Sequence, residues 1–451
     1  MVIPHPPLRL PLLGDVLRVS ARTPVQDAVR LSRRLGPVFE LKAFDRRFAF
    51  VCGAELVAEL ADETRFTKHV PPGVEAMRGM LGDGLFTAHE HEPGWRVAHD
   101  VLVPAFSQGA LRRYHGTMLE VAGQLLDRWD RAGGPVDVPA DMTRLALETI
   151  GRTGFGYSFG SFSRPEAHPF VTAMLRGLRY SQRSTTLPAA ATALFGRRAR
   201  RRYLADAAAM HRLVDEVIRS RTGSGDDMLG LMLESGRLDD VNTRHQVITF
   251  LMAGHETTSS GLAFALHHLS RDPAALARAR SEVDSVWPAE PEPPAFEQVA
   301  RLRYVRQVLD EALRLNPPVP GFARRARADT ELGGLPVRAG QWFMVLVPAL
   351  HRDPVWGPDA ESFDPDRFAP AAVRARPAHV FKPFGTGARA CIGRQFALHE
   401  MTLVLGLLLR RYDLAPDPGY RLSVRETLTL SPRGLTLRPT RRDPVSASGP
   451  A

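Results

Sequence analysis

The sequence predicts a mainly α-helical protein with a smaller β-rich part, folded as a single domain over residues 1–440. Three observations carry that expectation. Helical periodicity dominates from Trp95 to about Ser270, broken at Gly133-Gly134-Pro135, near Pro188 and at 222–225. Strand-like segments rich in β-branched and aromatic residues fall at 37–52, 341–347 and 420–438. The chain has 451 residues, 44% of them hydrophobic, with neither an internal repeat nor a flexible linker in its body, so one large core accounts for it.

The elements follow in order. Residues 1–20 are proline-rich and interrupted by His5, Arg9, Asp15 and Arg18, so they hold no apolar run of signal-peptide or anchor length. The expectation is a cytoplasmic protein without a membrane anchor. Residues 37–52 read as two strands joined at Asp45. A long helix spans about Asn242 to Ser270 and is stopped by Pro273. Another spans about Gln298 to Leu315, ahead of Asn316-Pro317-Pro318. The stretch 420–438 carries a Ser431-Pro432-Arg433-Gly434 turn, and 441–451 has the composition of a disordered tail.

Charge and cysteines narrow the class. The formal net charge is +10, from 59 basic and 49 acidic residues. That surplus suits nucleic acid, an acidic membrane surface or an acidic redox partner. No zinc-finger spacing, RNA-binding motif or basic heptad region is present, which sets nucleic acid aside. The densest basic run, Arg197-Arg198-Ala199-Arg200-Arg201-Arg202, reads as a solvated helix face. Two cysteines, Cys52 and Cys391, make no disulfide framework and point to a reducing compartment.

Cys391 carries the chemistry. It sits in Phe384-Gly385-Thr386-Gly387-Ala388-Arg389-Ala390-Cys391-Ile392-Gly393, directly before an apolar-periodic helix. Helix N-termini favour a thiolate, and flanking glycines let the backbone approach the sulfur. One thiolate alone is a poor zinc or iron–sulfur site but a suitable axial ligand to haem iron, pushing electron density toward O–O cleavage. A free cysteine is more often a small buried hydrophobe. Against that stand five fixed positions, Phe384, Gly387, Arg389, Cys391 itself and Gly393, a coincidence of roughly one in a million per start position at flat composition. Upstream, the middle of the long helix reads Ala253-Gly254-His255-Glu256-Thr257-Thr258. Glycine and threonines weaken a helix there and can open a groove, and an acid beside a hydroxyl suits proton delivery during dioxygen reduction.

These motifs resemble those of the cytochrome P-450 monooxygenases, and the resemblance extends from Leu8 to the final strands. It is closest to the haem domain of the bacterial self-sufficient fatty-acid hydroxylases. Shared runs include Gly82-Asp83-Gly84-Leu85-Phe86-Thr87, the stretch Ala98–Gln108 and Val347-Pro348-Ala349-Leu350-His351-Arg352-Asp353. The resemblance implies a b-type haem ligated by Cys391, with Ala253 and Gly254 over its face and Phe384 shielding the sulfur. It implies Glu256 and Thr257 as an acid–alcohol pair. Trp95, Arg389, Lys68, Arg96 and His99 fall where propionate partners stand; many relatives have arginine at the place of His99. Glu311, Arg314 and Arg367 match a buried triad that braces the cysteine loop. Phe86 and Val319 would line the substrate pocket, and Arg46 would meet a fatty-acid carboxylate, although Phe50 replaces the neighbouring tyrosine. Those hydroxylases continue into a flavin reductase, so this chain is expected to draw electrons from a separate ferredoxin or flavodoxin with its reductase. The implied activity is monooxygenation of a small lipophilic substrate, a fatty acid or a secondary-metabolite intermediate. A peroxide-driven peroxygenase and a non-catalytic haem sensor are the competing functions.

Overall fold

The computed structural model describes residues 3–166, 168–186, 196–221, 225–287 and 292–442. The long helix, Asp240–Leu269, organises the fold. The Asp239 carboxylate caps its start by accepting from the Asn242 N–H. From Thr243 to Leu269 it is buried nearly all round, as a helix inside a large core must be. Val138–Phe155 packs along one side, Arg303–Leu315 and Arg394–Arg411 along others. Gly254 lets Ile150 come close, since an added Cβ would sit 3.3 Å from it. Gly261 does the same for the Met401 sulfur, 2.8 Å from such a Cβ. The helix is continuous through Gly254 and Thr257, so the weakening expected there produces no break.

The strand-rich part lies beside this bundle. Strands β1 (Val38–Ala43) and β2 (Arg46–Val51) form the hairpin expected over 37–52, with Phe44-Asp45 at its turn. They join β3 (Phe66–His69), β5 (Gly321–Ala326) and β8 (Trp342–Leu346) in a five-stranded sheet ordered β1-β2-β8-β5-β3. One face, with Val51, Phe66, Phe343 and Val345, is buried in a core of its own. Short strands complete the fold: β4 (Val136–Asp137), β6 (Thr330–Leu332), β7 (Leu335–Val337), β9 (Tyr412–Pro416), β10 (Val424–Glu426), β11 (Leu430–Pro432) and β12 (Thr436–Arg441).

The structure corrects some boundaries. The helix expected from Gln298 is two pieces, Phe296–Val299 and Arg303–Leu315. The Glu282 carboxylate accepts from the Tyr304 and Val305 N–H groups at 2.8 and 2.9 Å, so a neighbouring helix supplies the cap that starts the second piece. Within 420–438 a tight turn at 427–429 separates β10 from β11, ahead of the predicted turn. β12 runs through Arg441, and Arg442 pairs with Asp284 at 2.7 Å. The break predicted near Pro188 and the tail from residue 443 lie outside the described residues, as does most of the break at 222–225. The run Arg197–Arg202 is an exposed helix face, as expected.

Glu400 is a buried acid where the cysteine helix, Arg394–Arg411, meets Val138–Phe155. Burial pushes its carboxyl up to about 8, and a hydrogen bond with Thr149 only partly offsets this. The folded state therefore holds a proton that the unfolded chain releases above its ordinary carboxyl range. Stability contributed by this group is complete at low pH and falls as pH rises toward about 8, by at most about 1.4 kcal/mol per pH unit. Glu400→Gln keeps the shape and cannot ionise. Its Tm should exceed the parent's by a margin that widens from pH 5 to pH 8; a constant margin would contradict the buried neutral acid.

Candidate haem-thiolate site

The cysteine loop is a rigid turn built by its glycines. Gly385 and Gly387 both take φ of +72°, where an L side chain is strained. A Cβ on Gly387 would also lie 2.2 Å from Glu63. That carboxylate accepts from the Ala388 N–H at 3.0 Å and pairs with the buried Arg324, which donates to the Thr386 carbonyl at 2.9 Å. The Cys391 N–H donates to the Phe384 carbonyl at 2.9 Å, closing the loop before helix Arg394–Arg411 begins. Phe384 is half-buried, with the Arg394 guanidinium 5.7 Å from its ring.

Cys391 has protein on nearly every side, and yet its surface is open. A residue enclosed by protein yet open at its surface suits the wall of a recess. Ala253 has the same character: it is exposed at the middle of a helix whose neighbours Leu251, Met252, His255 and Glu256 are buried. An open cysteine and an open helix face are each what a site for a large flat group would leave uncovered. Burial pushes the Cys391 thiol up, against the Gly393 N–H and the Arg394 charge, which pull it down. The helix terminus expected to favour the thiolate is outweighed by desolvation; a metal ion would remove the proton outright.

The expected propionate partners gather on one segment. Lys68 donates from Nζ to the carbonyls of Phe86 at 2.6 Å and Ala88 at 3.2 Å. Arg389 lies 3.8 Å from the Trp95 ring centre and donates to the Ala88 and His89 carbonyls at 3.4 and 3.3 Å. Burial, with Arg389 as a second cause, brings the Lys68 ammonium down to about 7; burial likewise brings Arg389 down to about 10. Two half-buried cations held mainly by carbonyls, with Glu90 3.6 Å from Arg389, suit an anionic group. His99 stacks on Trp95 at 4.9 Å, while Arg96 is exposed with its guanidinium 5.9 Å from that ring.

The Thr257 hydroxyl donates back to the Ala253 carbonyl at 2.7 Å. Glu256 is buried and accepts from the Thr429 hydroxyl at 3.1 Å, a partner with no signal in the sequence. Thr429 sits at the tip of the β10–β11 turn, and the next residue, Leu430, donates to the Pro318 carbonyl at 2.8 Å. The hairpin thus ties Glu256 to the turn that carries Val319, itself 37% exposed. Phe86 is half-buried beside Leu85, whose N–H donates to Gln246 of the long helix at 2.9 Å. Arg46 opens β2 on the sheet face shared with Phe48 and Phe50, and Phe50 stacks on Phe39 at 5.2 Å.

Behind the loop lies the buried pair. Glu311 and Arg314 are fully buried and joined by two hydrogen bonds of 2.6 and 2.7 Å. Arg367 stands 3.7 Å from Glu311 but binds Asp359 more closely, at 2.6 Å. The sequence reading missed His351. Its Nδ1 donates to the Arg314 carbonyl at 3.1 Å, and its Nε2 accepts from the Lys382 N–H at 2.9 Å. Burial brings this ring down to about 3, so it is neutral with one donor and one acceptor, the form both bonds require. It connects the pair to the residue where the cysteine loop begins. His351→Ala should cost about 1–3 kcal/mol for each buried group left without a partner, read by urea denaturation. A variant as stable as the parent would reduce His351 to a space-filler.

Comparison with known proteins agrees with this geometry. The cytochrome P450 family model matches residues 4–441. The chain is 43% identical over 451 residues to the bifunctional cytochrome P450/NADPH–P450 reductase of Bacillus cereus, covering 97% of this chain and 42% of that protein. It is 44% identical over 422 residues to bifunctional cytochrome P450/NADPH–P450 reductase 2 of Bacillus subtilis, covering 90% of this chain and 40% of that protein. It is 37% identical to a self-sufficient cytochrome P450 monooxygenase of Exserohilum turcicum, covering 99% of this chain and 43% of that protein. The chain therefore spans less than half the length of these curated relatives. Among the described residues, no helix is long and apolar enough to cross a membrane. With a family match over nearly its whole length, the chain belongs to the cytochrome P450 family, whose cofactor is a haem held by a cysteine thiolate.

Proposed function

We propose that the chain is a monooxygenase that inserts one atom of dioxygen into a C–H or C=C bond of a small lipophilic substrate. The second atom leaves as water, with two electrons from a redox partner and two protons. The observation that carries this reading is that Cys391, in its glycine-built loop, and Ala253, midway along a buried helix, are both left open. When bound, the haem supplies the centre at which dioxygen is reduced and transferred.

The residues divide the remaining work. Cys391 holds the cofactor through its sulfur, and Phe384 keeps water from that side. Lys68, Arg389 and Trp95 take the propionates, with Arg96 and His99 at the rim. Ala253, backed by Gly254, leaves the opposite face clear. Glu256 passes protons inward from the Thr429 side, where its carboxylate already holds a hydroxyl. Thr257 presents a proton at Oγ1 once it releases the Ala253 carbonyl. Phe86 and Val319 offer apolar walls to the substrate, and Arg46 would steady an acidic headgroup at the mouth. A fatty acid is the substrate this set favours. The partner is a ferredoxin or flavodoxin-type electron donor, which the net charge of +10 suits if that donor is acidic. Two free cysteines are consistent with a cytoplasmic setting.

The test is spectroscopic. The reduced, carbon-monoxide-bound protein should show the red-shifted Soret band of a thiolate-ligated haem, and Cys391→Ala should lose it. Retention of the band would refute the ligand. On the same preparation, a fatty acid should displace the Soret band at lower concentration than its methyl ester, and Arg46→Ala should erase the difference. Equal affinity in the parent would reject the carboxylate anchor and favour a neutral substrate.

Thr257→Ala leaves the cysteine loop and the apolar walls intact, so substrate affinity should stay near the parent value. Electron consumption should continue while product falls and hydrogen peroxide rises. Positioned proton transfer contributes about 10²–10⁴-fold, which bounds the loss of productive turnover. Unchanged coupling of electrons to product would leave Thr257 as an ordinary helix residue.

A further inference from the structure

The most exposed large hydrophobic side chains among the described residues lie together near the start of the chain. Leu12 is 84% exposed, Leu8 82% and Leu17 76%, with Leu13 at 40%. Such a cluster on a soluble surface ordinarily marks contact with another phase or partner. The segment is firmly held. Leu10 and Gly14 exchange backbone hydrogen bonds at 3.0 and 2.8 Å, forming a turn docked on the edge strand β1. The buried Asp15 takes the Arg9 guanidinium at 2.9 Å and the Lys42 N–H at 2.7 Å, and Arg9 also binds Glu40 at 2.7 Å. Gly14, at φ +70°, is required there, because a Cβ would lie 2.3 Å from the Lys42 carbonyl. An ion cluster therefore fixes the backbone while the leucines of the turn stay outside.

The rim of this patch is basic. Arg18 and Arg22 are exposed, and Lys42 Nζ reaches the Pro11 carbonyl at 3.4 Å, while Arg47 is spent on Glu40 at 3.1 Å. Arg9 and Arg47 together balance Asp15 and Glu40, and Asp45 is the exposed acid of the neighbouring turn. Leucines projecting from a fixed turn inside a cationic rim match an anionic phospholipid surface: the leucines enter the acyl boundary and the cations meet headgroups. We propose that this N-terminal turn is a peripheral contact site for anionic membrane surface, lying flat without spanning. The Leu13 carbonyl accepts from the Phe44 N–H at 3.2 Å, which places the patch beside the β1–β2 turn and Arg46. Its use as a route for lipophilic substrate from bilayer to pocket rests on the function proposed above; the membrane contact itself does not.

The test is flotation of the haem-loaded protein with vesicles of phosphatidylcholine, with and without phosphatidylglycerol. The parent should float with phosphatidylglycerol vesicles, less so as salt is raised, and not with phosphatidylcholine alone. Leu12→Asp combined with Leu17→Asp should weaken binding by about tenfold or more, since each buried leucine contributes on that scale. Both side chains are solvent-exposed, so the fold should survive; an unchanged carbon monoxide spectrum checks this, and Leu12→Ser with Leu17→Ser serves if it does not. The proposal is overturned if the parent does not float, or if the leucine variant floats equally well. It is also overturned if Arg200→Glu with Arg201→Glu abolishes binding while the leucine variant retains it, or if sedimentation shows that the leucines instead join two copies of the chain. Soret titration without vesicles reads the substrate pocket separately, so either reading can fail alone.

Discussion

The Glu311–Arg314 pair is the constraint on which the cysteine site depends. Both side chains are fully buried, and taking two charges out of water costs several kcal/mol unless nearly every donor and acceptor is met. Here they are met from several directions. Arg314 donates to the carbonyls of His351, Ala360 and Ser362, and Glu311 accepts from the Asp364 N–H at 2.9 Å. Burial pushes the Glu311 carboxyl up, and Arg314 only partly opposes it. The pair thus gathers segments 351, 360–364 and, through His351, Lys382. A charge that cannot tolerate a missing partner is a stringent way to specify where irregular chain must run. The cysteine loop begins where that irregular chain ends.

The site is equally a product of what the helices leave open. A helix buried as completely as Asp240–Leu269 has one surface residue in its middle, Ala253, while Gly254 beside it is filled by Ile150. The two small residues serve different ends: glycine draws a neighbouring helix in, and alanine keeps a space clear. The Thr257 hydroxyl caps the Ala253 carbonyl in the same turn, so the helix stays unbroken beside the cavity. A groove is made by side-chain size alone, without the backbone distortion that glycine and threonine suggest.

Legibility in the sequence followed the range of the interaction. The β1–β2 hairpin and the long helix are set by neighbours within a few residues, and their patterns read correctly. The split before Arg303 could not be read, because its cap comes from Glu282 on another helix. His351, Glu63 and Thr429 were likewise silent: each acts on a residue far along the chain, at Lys382, Ala388 and Glu256. The thiol of Cys391 shows the same limit in energy. The local helix end favours its charge, and the surrounding protein, which no local pattern records, favours its proton.

The proposed propionate cradle illustrates how such a protein couples its cofactor to its fold. Lys68 is half-buried, brought down to about 7, and shares its surroundings with Arg389, brought down to about 10. Their nearest acceptors are backbone carbonyls, and Glu90 stands 3.6 Å from Arg389 as the adjoining carboxylate. Desolvation disfavours both cations, with Arg389 adding to the effect on Lys68 and Arg324 adding to that on Arg389. An anionic ligand reverses both effects, restoring full charge to the lysine and returning energy in proportion to the strain relieved. A group that binds the folded chain alone stabilises it by mass action. The cradle is therefore a place where the chain without cofactor is less stable than its packing would allow, and where loading makes up the difference.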